Sequence, residues 1–287
     1  MKLQCNSETG SLRSVVLGYP HNFHNNGAPV EIINKTQAKF FTLTSKPTAE
    51  SLQSEFLEFQ QTLENYGVKV FVPEPCDVPD QLTPRDIGFV IGDRFFLARM
   101  AKQSRVNEYQ GIRYLIDQFG PEKVVRVPEG MVIEGGDIIV EGKNIFIGLS
   151  QRTDRDGCDW LAQQITDYNI IPVHLKTIAE GEDCLHLDCV FVPVGKGNCL
   201  IYPEGIKGEI PLPLKEFKWI VVTSEEQSQL ATNVLSLSDH RVISRTATRR
   251  VNAELRKLGL EVIVLKYDEA PKTGGSFRCC TLPLWRD

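Results

Sequence analysis

The sequence predicts an α/β protein closed into a ring of five hairpin–helix–strand units, and three observations carry that reading. One pattern, a polar residue, an alternating apolar run, a Gly/Asp/Asn turn and a second apolar run, occurs four times inside the chain. Each occurrence is followed by a largely helical stretch and then a short β-rich run. Half of a fifth hairpin stands near the N-terminus, and a strand able to complete it stands at the C-terminus.

Taken in order, "LRSVVLGYP" from Leu12 supplies the N-terminal half-hairpin. The spacing of Leu52, Phe56, Phe59 and Leu63 predicts a helix over Thr48–Tyr66, with "VKVFVP" as the strand behind it. The hairpins follow: "DIGFVIGDRFFLA" from Asp86, "DIIVEGKNIFIG" from Asp137, "DCVFVPVGKGNCLIY" from Asp188 and "NVLSLSDHRVIS" from Asn233, with starts 51, 51 and 45 residues apart. Helices are expected over Ser104–Phe119, Gly157–Tyr168 and Thr248–Leu258, and strands in "EKVVRVP", "NIIPVHL" and "LEVIVLKY". In the fourth unit a Pro-containing, poorly helical stretch precedes "FKWIVVT". The terminal "CCTLPLW" is the natural partner of the N-terminal half-hairpin, so the tail is expected to dock and close the ring.

With 287 residues, 41% of them hydrophobic, the chain can bury a sizeable core, and the repeat makes residues 1–287 one domain. A net charge of −5 without a basic block argues against nucleic acid. No apolar run has the length of a membrane span, and the N-terminus has no apolar signal core, so a cytoplasmic protein is expected. The eight cysteines include no CxxC pair, and neither a metal nor a cofactor is expected. Most of these thiols should simply be buried.

Asp86, Asp137, Asp188 and Asn233 occupy one phase of successive units and are expected to face a common central cavity. A lone acidic residue at a strand start is ordinary punctuation; three aspartates in register argue for more. Around them lie "TPRDIG", "EGGDI" and "HLDCVF". With Cys279 these provide a thiol, an imidazole and carboxylates: a nucleophile, a proton carrier and a cation clamp. His186 and Asp188, two apart, would share a face of an extended strand, and Glu134, before Gly135-Gly136, would either cap a turn or, beside the histidine, fix its tautomer. Cys279 and Cys280 must point to opposite sides, one to the cavity and one to the core.

"EGGDI…GKNIFIGLSQRT", "HLDCVF" and "GGSFRCCT" together resemble the guanidino-group-modifying enzymes, a superfamily that includes dimethylarginine dimethylaminohydrolases, arginine deiminases and amidinotransferases. The resemblance runs over essentially the whole chain and implies the five-bladed α/β propeller, or pentein, fold. It implies Cys279 as nucleophile, His186 as general acid/base and Glu134 as the carboxylate orienting it. Asp86 and Asp188 would bind the guanidinium and Arg152 the substrate carboxylate, with Asp137 and Asn233 as further polar site positions. Asn22, in "HNFHNNGAPVEI", would belong to a loop over the cavity mouth. The expected partner is a small guanidino compound, and the resemblance allows a homodimer.

Length separates the chain from the larger amidinotransferases and from arginine deiminases with an added helical domain. "GDIIVEGKNIFIGLSQRT" and the paired cysteines look most like dimethylarginine dimethylaminohydrolases; the acidic Asp188 looks like arginine deiminases and amidinotransferases. A second buried carboxylate beside a dimethylamino group would be stranded. The reading is therefore an arginine deiminase-like hydrolase of an unsubstituted guanidine, with dimethylarginine hydrolysis and amidino transfer as alternatives.

Overall fold

The computed structural model describes residues 1–21, 23, 46–79, 81–182 and 184–287. Asn22 and most of its loop lie outside the described residues. Fifteen strands form five three-stranded sheets, each built alike. In the first complete unit, β3 (Gly88–Ile91) pairs antiparallel with β4 (Arg94–Leu97), which pairs parallel with β5 (Val124–Arg126). The next three units repeat this. They are β6 (Ile138–Glu141), β7 (Asn144–Leu149) and β8 (Asn169–His174), then β9 (Phe191–Gly195), β10 (Asn198–Ile201) and β11 (Lys218–Val221), then β12 (Leu235–Ser238), β13 (Arg241–Arg245) and β14 (Glu261–Leu265).

The fifth sheet joins the two ends of the chain. β1 (Leu12–Leu17) runs antiparallel to β15 (Thr281–Arg286), with Leu17 opposite Thr281, and parallel to β2 (Lys69–Phe71). Asp287 N–H donates to Ser11 O at 3.0 Å and Arg286 N–H to Gln4 O at 2.6 Å, so the tail is docked to its last residue. This is the five-bladed α/β propeller that the repeat predicts, closed by the strand expected to close it.

Among the described residues all α-helices but one, Ser224–Ser228, lie in the connections between middle and outer strands. α1 (Ala49–Asn65) starts at Thr48, whose hydroxyl accepts from Ser51 N–H while the Ser51 side chain accepts from Thr48 N–H. It buries Leu52, Phe56, Phe59 and Leu63, the predicted stripe, each contributing roughly 1.5–3 kcal/mol. α3 (Arg155–Gln164) is capped by Asp154, and α6 (Arg249–Lys257) buries Val251 and Leu255. The segment expected to be one helix over Ser104–Phe119 is instead two 3₁₀ turns, Gln103–Arg105 and Glu108–Ile112, followed by α2 (Arg113–Phe119). Asn107 and Gly111 are weak helix formers. A Cβ at Gly111 would meet Glu74 O at 2.9 Å, so close chain crossing fixes glycine there. The break also carries the buried Arg105 side chain into the centre of the ring.

The fourth connection contains only the short α4 (Leu212–Lys215) before β11, and α5 (Ser224–Ser228) follows that strand. The apolar side chains form four clusters seated between neighbouring blades and their helices. Among the described residues no helix is long and apolar enough to cross a membrane.

Candidate active site

Each inner strand is entered through a tight turn, and the polar positions picked out by the repeat sit in those turns. Asp86 N–H donates to Thr83 O, Asp137 N–H to Glu134 O, Cys189 N–H to His186 O, Asn233 N–H to Leu230 O and Thr281 N–H to Arg278 O. His186 and Asp188 therefore do not lie along an extended strand. His186 precedes a 3₁₀ turn, Leu187–Cys189, and the expected alternation gives way to that turn. The turn frees backbone amides to receive neighbouring carboxylates, which a sheet ladder would have consumed: Leu187 N–H donates to Asp137 Oδ1 at 2.9 Å.

A cavity of about 20 Å³ is lined by Asp86, Arg105, His186, Cys189, Gly274 and Cys279 among others. His186 Nε2 lies 2.8 Å from Glu134 Oε2, and its Nδ1 lies 3.7 Å from Asp86 Oδ1. Burial disfavours charge on this imidazole, but Asp86, Glu134 and Asp137 outweigh it, and its pKa is raised from 6.5 to about 9. His186 is an imidazolium at neutral pH. Glu134 is held by Ala101 N–H at 2.9 Å and by Arg152 Nη1, which is 3.4 Å from each carboxylate oxygen.

Gly136 lets these groups converge. A Cβ there would lie 2.7 Å from His186 Cγ and 2.8 Å from Asp86 Oδ1, so any larger residue would force the imidazole and carboxylate apart. Gly275 does the same for the loop that carries Cys279, where a Cβ would meet Thr83 Cγ2 at 2.7 Å.

Cys279 lines the cavity, whereas Cys280 belongs to the apolar cluster of Phe59, Tyr267 and Phe277; the two diverge as expected, but from a turn before β15 and not from an extended strand, Cys280 N–H donating to Ser276 O at 2.8 Å. Asn233 Nδ2 donates to Cys279 Sγ at 3.0 Å, and Asp188 Oδ2 lies 3.5 Å from the same sulfur. Burial pushes the thiol pKa well above its usual 9.0, and Asp188 pushes it further. Asp137 is also buried; burial raises its pKa to about 7 although His186, Ser150 and Thr153 oppose the shift. Ser150 Oγ donates to its Oδ2 at 2.6 Å, so Asp137 braces the turn carrying His186 and is absent from the cavity wall.

Of the four positions expected to face a common cavity only Asp86 is among its lining residues, Asp137, Asp188 and Asn233 being set behind it, and two further placements differ from expectation. Arg152 is 1% exposed and engaged with Glu134, and is not among the residues lining the cavity. Asp188 is already matched by a cation of this chain, because Arg278 Nη1 donates to its Oδ2 at 2.8 Å. The premise that its charge would be stranded beside a methylated substrate therefore fails: the compensating charge is built in.

Several partners were missed in the sequence. Arg105 donates to Asp86 Oδ2 at 2.8 Å, to Thr83 Oγ1 at 2.8 Å and, bidentately, to Glu108 at 2.7 and 2.8 Å. Arg278, inside the quoted "GGSFRCCT", joins Asp188 to Glu8 at the other end of the chain. Glu55 on α1 accepts from the amides of Asp268, Glu269 and Ala270 at 2.5–3.0 Å, clamping the loop that leads to Gly274. No local motif announces such long-range pairs.

Ligand atoms of Asp86, Glu134 and His186 lie within 4.8 Å of one another, close enough to hold a metal ion. The same carboxylates already face His186, Arg105 and Arg152, so a metal would enter among positive groups. The set is better matched to a diffuse organic cation with hydrogens to donate than to a compact metal ion.

Residues 19–286 match the protein-family model described as N,N dimethylarginine dimethylhydrolase, eukaryotic. The uncharacterized protein YkgA of Bacillus subtilis is 35% identical over 288 residues, spanning 99% of this chain and 96% of that one. The mitochondrial glycine amidinotransferase of Xenopus laevis is 25% identical over 350 residues, spanning 98% of this chain and 82% of its own. Among solved structures, SxtG, an amidinotransferase from Microseira wollei in the saxitoxin biosynthetic pathway, superposes with a TM-score of 0.84 at 24% identity, covering 99% of this chain and 97% of that one. The chain belongs to the N,N-dimethylarginine dimethylhydrolase family, within the pentein superfamily of guanidino-group-modifying enzymes.

Proposed function

We propose that the protein is a cysteine-dependent hydrolase of the guanidino group of arginine or a related unsubstituted guanidine. The observation that carries this reading is Asp86. Its Oδ1 is buried without a hydrogen-bond partner among the described residues, and Asp86 lines the same cavity as His186 and Cys279. A buried carboxylate oxygen in that position is satisfied by the N–H edge of a planar cation. Asp188, 3.5 Å from Cys279 Sγ, offers a second acceptor near the nucleophile. A dimethylated nitrogen has no hydrogen for either.

The resting thiol is protonated, so the substrate's own charge is the agent that lowers its pKa; a guanidinium entering beside Cys279 stabilises the thiolate, whose proton is released to solvent and is regained when the thiolate is expelled at the end of the cycle. The sulfur attacks the central guanidino carbon. The His186 imidazolium gives its proton to one terminal nitrogen, that C–N bond breaks, and ammonia leaves an amidino-thioether on Cys279. Neutral His186 then takes a proton from water, whose oxygen adds to the same carbon and expels the thiolate. The sum is guanidine plus water giving urea-type product plus ammonia. Glu134 steadies the imidazolium, while Asn233 holds the sulfur in place.

The family model favours a second reading, dimethylarginine as substrate with dimethylamine released, and the glycine amidinotransferase relative favours a third, in which an amine replaces water. Product analysis separates all three. With arginine alone, ammonia and citrulline in equal amounts are expected. Dimethylamine as the faster product from asymmetric dimethylarginine would select the second reading. Ornithine and a new guanidino compound, formed only with added glycine or another amine, would select the third.

A further inference from the structure

A second small cavity, also of about 20 Å³, lies between the N-terminal segment and the inner strands β3, β6 and β15. Apolar side chains of Phe89 and Val140 form part of its wall, and Cys5, Glu8, Arg85 and Arg286 supply the polar part. Arg85 and Arg286 are 4% and 3% exposed. Arg85 Nη2 and Arg286 Nε and Nη2 are buried and have no hydrogen-bond partner among the described residues.

The remaining atoms of these guanidinium groups are accounted for. Arg85 Nε donates to Arg278 O at 3.2 Å, and Arg286 Nη1 donates to Gly10 O at 2.8 Å and Ser236 O at 2.9 Å. Glu8, the carboxylate in the cavity wall, is taken by Arg278 at 3.0 and 3.3 Å and lies 4.0 Å from Arg85 Nη1. Asp188 and Glu141 are the further carboxylates acting on Arg85 and Arg286, yet none of the three accepts a hydrogen from Arg85 Nη2 or from Arg286 Nε or Nη2. Buried guanidinium N–H groups left without an acceptor are a costly arrangement in a protein interior.

We propose that this cavity is a binding site for a monatomic anion of chloride size, held by the free N–H groups of Arg85 and Arg286. A water would accept these hydrogens without offsetting the charge, while an anion does both. A halide, the most compact of the common anions, is the class best matched to so small a cavity. The site is separate from the candidate active site but linked to it. Arg85 bonds the Arg278 carbonyl, Arg278 bonds Asp188, and Asp188 lies beside the Cys279 sulfur. Occupancy would fix the arginine pair that holds this chain of contacts in register.

The test uses the full-length protein purified without halide, at constant ionic strength with potassium gluconate replaced stepwise by potassium chloride. The expected result is a saturating rise in Tm of about 3 °C, reproduced by bromide. Sulfate acts on any folded surface without saturating, so saturation separates site from solvent. Arg286→Met should lose the chloride response. Because that variant also gives up the bonds to Gly10 and Ser236 and risks misfolding, wild-type crystals grown in bromide supply an independent measurement, with an anomalous peak expected between Arg85 and Arg286. Absence of that peak, or a chloride response that survives in a folded Arg286→Met protein, overturns the proposal.

Discussion

Asn233 grips Cys279 twice: its Nδ2 donates to the sulfur at 3.0 Å, and its Oδ1 accepts the Cys279 backbone N–H at 3.0 Å. The turn before β12 thereby sets both the position of the thiol and the donor that faces it. In the sequence Asn233 was only the non-acidic member of a series of aspartates. The structure gives the exception a reason, because an aspartate here would present an acceptor and a negative charge to a sulfur that becomes a thiolate in the proposed reaction.

Asn233→Asp is accordingly expected to slow reaction of Cys279 with a chloroacetamidine and to lower kcat/KM by about ten- to a hundredfold, the worth of one charge-assisted hydrogen bond. Alkylation at Cys279 followed by mass spectrometry against pH provides the check. An unchanged alkylation profile would mean that the amide does not bear on thiolate formation.

The two adjacent cysteines should separate cleanly. Cys279→Ser removes the nucleophile and should abolish turnover in a folded protein. Cys280→Ser places a hydroxyl in the cluster of Phe59, Tyr267 and Phe277, so its cost should fall on stability, about 1–3 kcal/mol, with most turnover retained. Thermal unfolding measured beside activity distinguishes them; equal activity losses in two folded variants would contradict the assignment.

Arg152 is now expected to act through Glu134. If it holds that carboxylate, Arg152→Ala should lower kcat for arginine and for agmatine, which lacks the carboxylate, by similar factors. A rise in KM confined to arginine would restore the role that the sequence resemblance implies, direct binding of a substrate carboxylate.

The pH dependence follows from His186, whose pKa is raised to about 9 by Asp86, Glu134 and Asp137 against the effect of burial. Since the proton is held more tightly in the folded state, the stability it contributes is fully present below pH 6.5 and is lost as pH rises towards 9. Activity that needs the imidazolium should show an alkaline limb in the same region. Glu134→Gln removes a negative neighbour and should move that limb to lower pH. NMR titration of the His186 ring in both proteins reads the shift directly, and an unmoved limb would assign it to another group.

Ring closure was legible in the sequence because it is a period: four hairpins, half a hairpin and a matching terminal strand leave little choice. The divergence of Cys279 and Cys280 was legible in outcome though not in cause, since a turn before β15, not strand alternation, sends one to the cavity and the other to the core. The break of the Ser104–Phe119 helix was not, since what compensates it is Arg105 reaching Asp86, a contact made across the site. The pairing of Glu8 with Arg278 joins opposite ends of the chain, and neither residue carries a local signal of it. Glu55 is similar: on α1 it reads as one more solvent-facing acid, yet it gathers three backbone amides.

Asp188 decides the substrate question in a different way from the one its sequence position suggested. Its charge is already offset by Arg278 at 2.8 Å, so a dimethylated substrate would not leave it stranded. What remains is its capacity to accept hydrogens beside Cys279. Asp188→Asn keeps the shape, weakens the bond from Arg278 and replaces an acceptor with an amide. For a substrate with a free amidine, kcat/KM should fall about ten- to a hundredfold. Part of that loss would come from Arg278, and Arg278→Lys measures this share, because it keeps a cation while losing the guanidinium fork. For asymmetric dimethylarginine, which offers Asp188 no hydrogens from its substituted nitrogen, Asp188→Asn should cost no more than Arg278→Lys does. Comparing citrulline formation from both substrates in the wild type and the two variants gives the answer. If the wild type prefers dimethylarginine and Asp188→Asn suppresses both reactions equally, Asp188 serves the arginine network alone, and the enzyme is a dimethylarginine hydrolase.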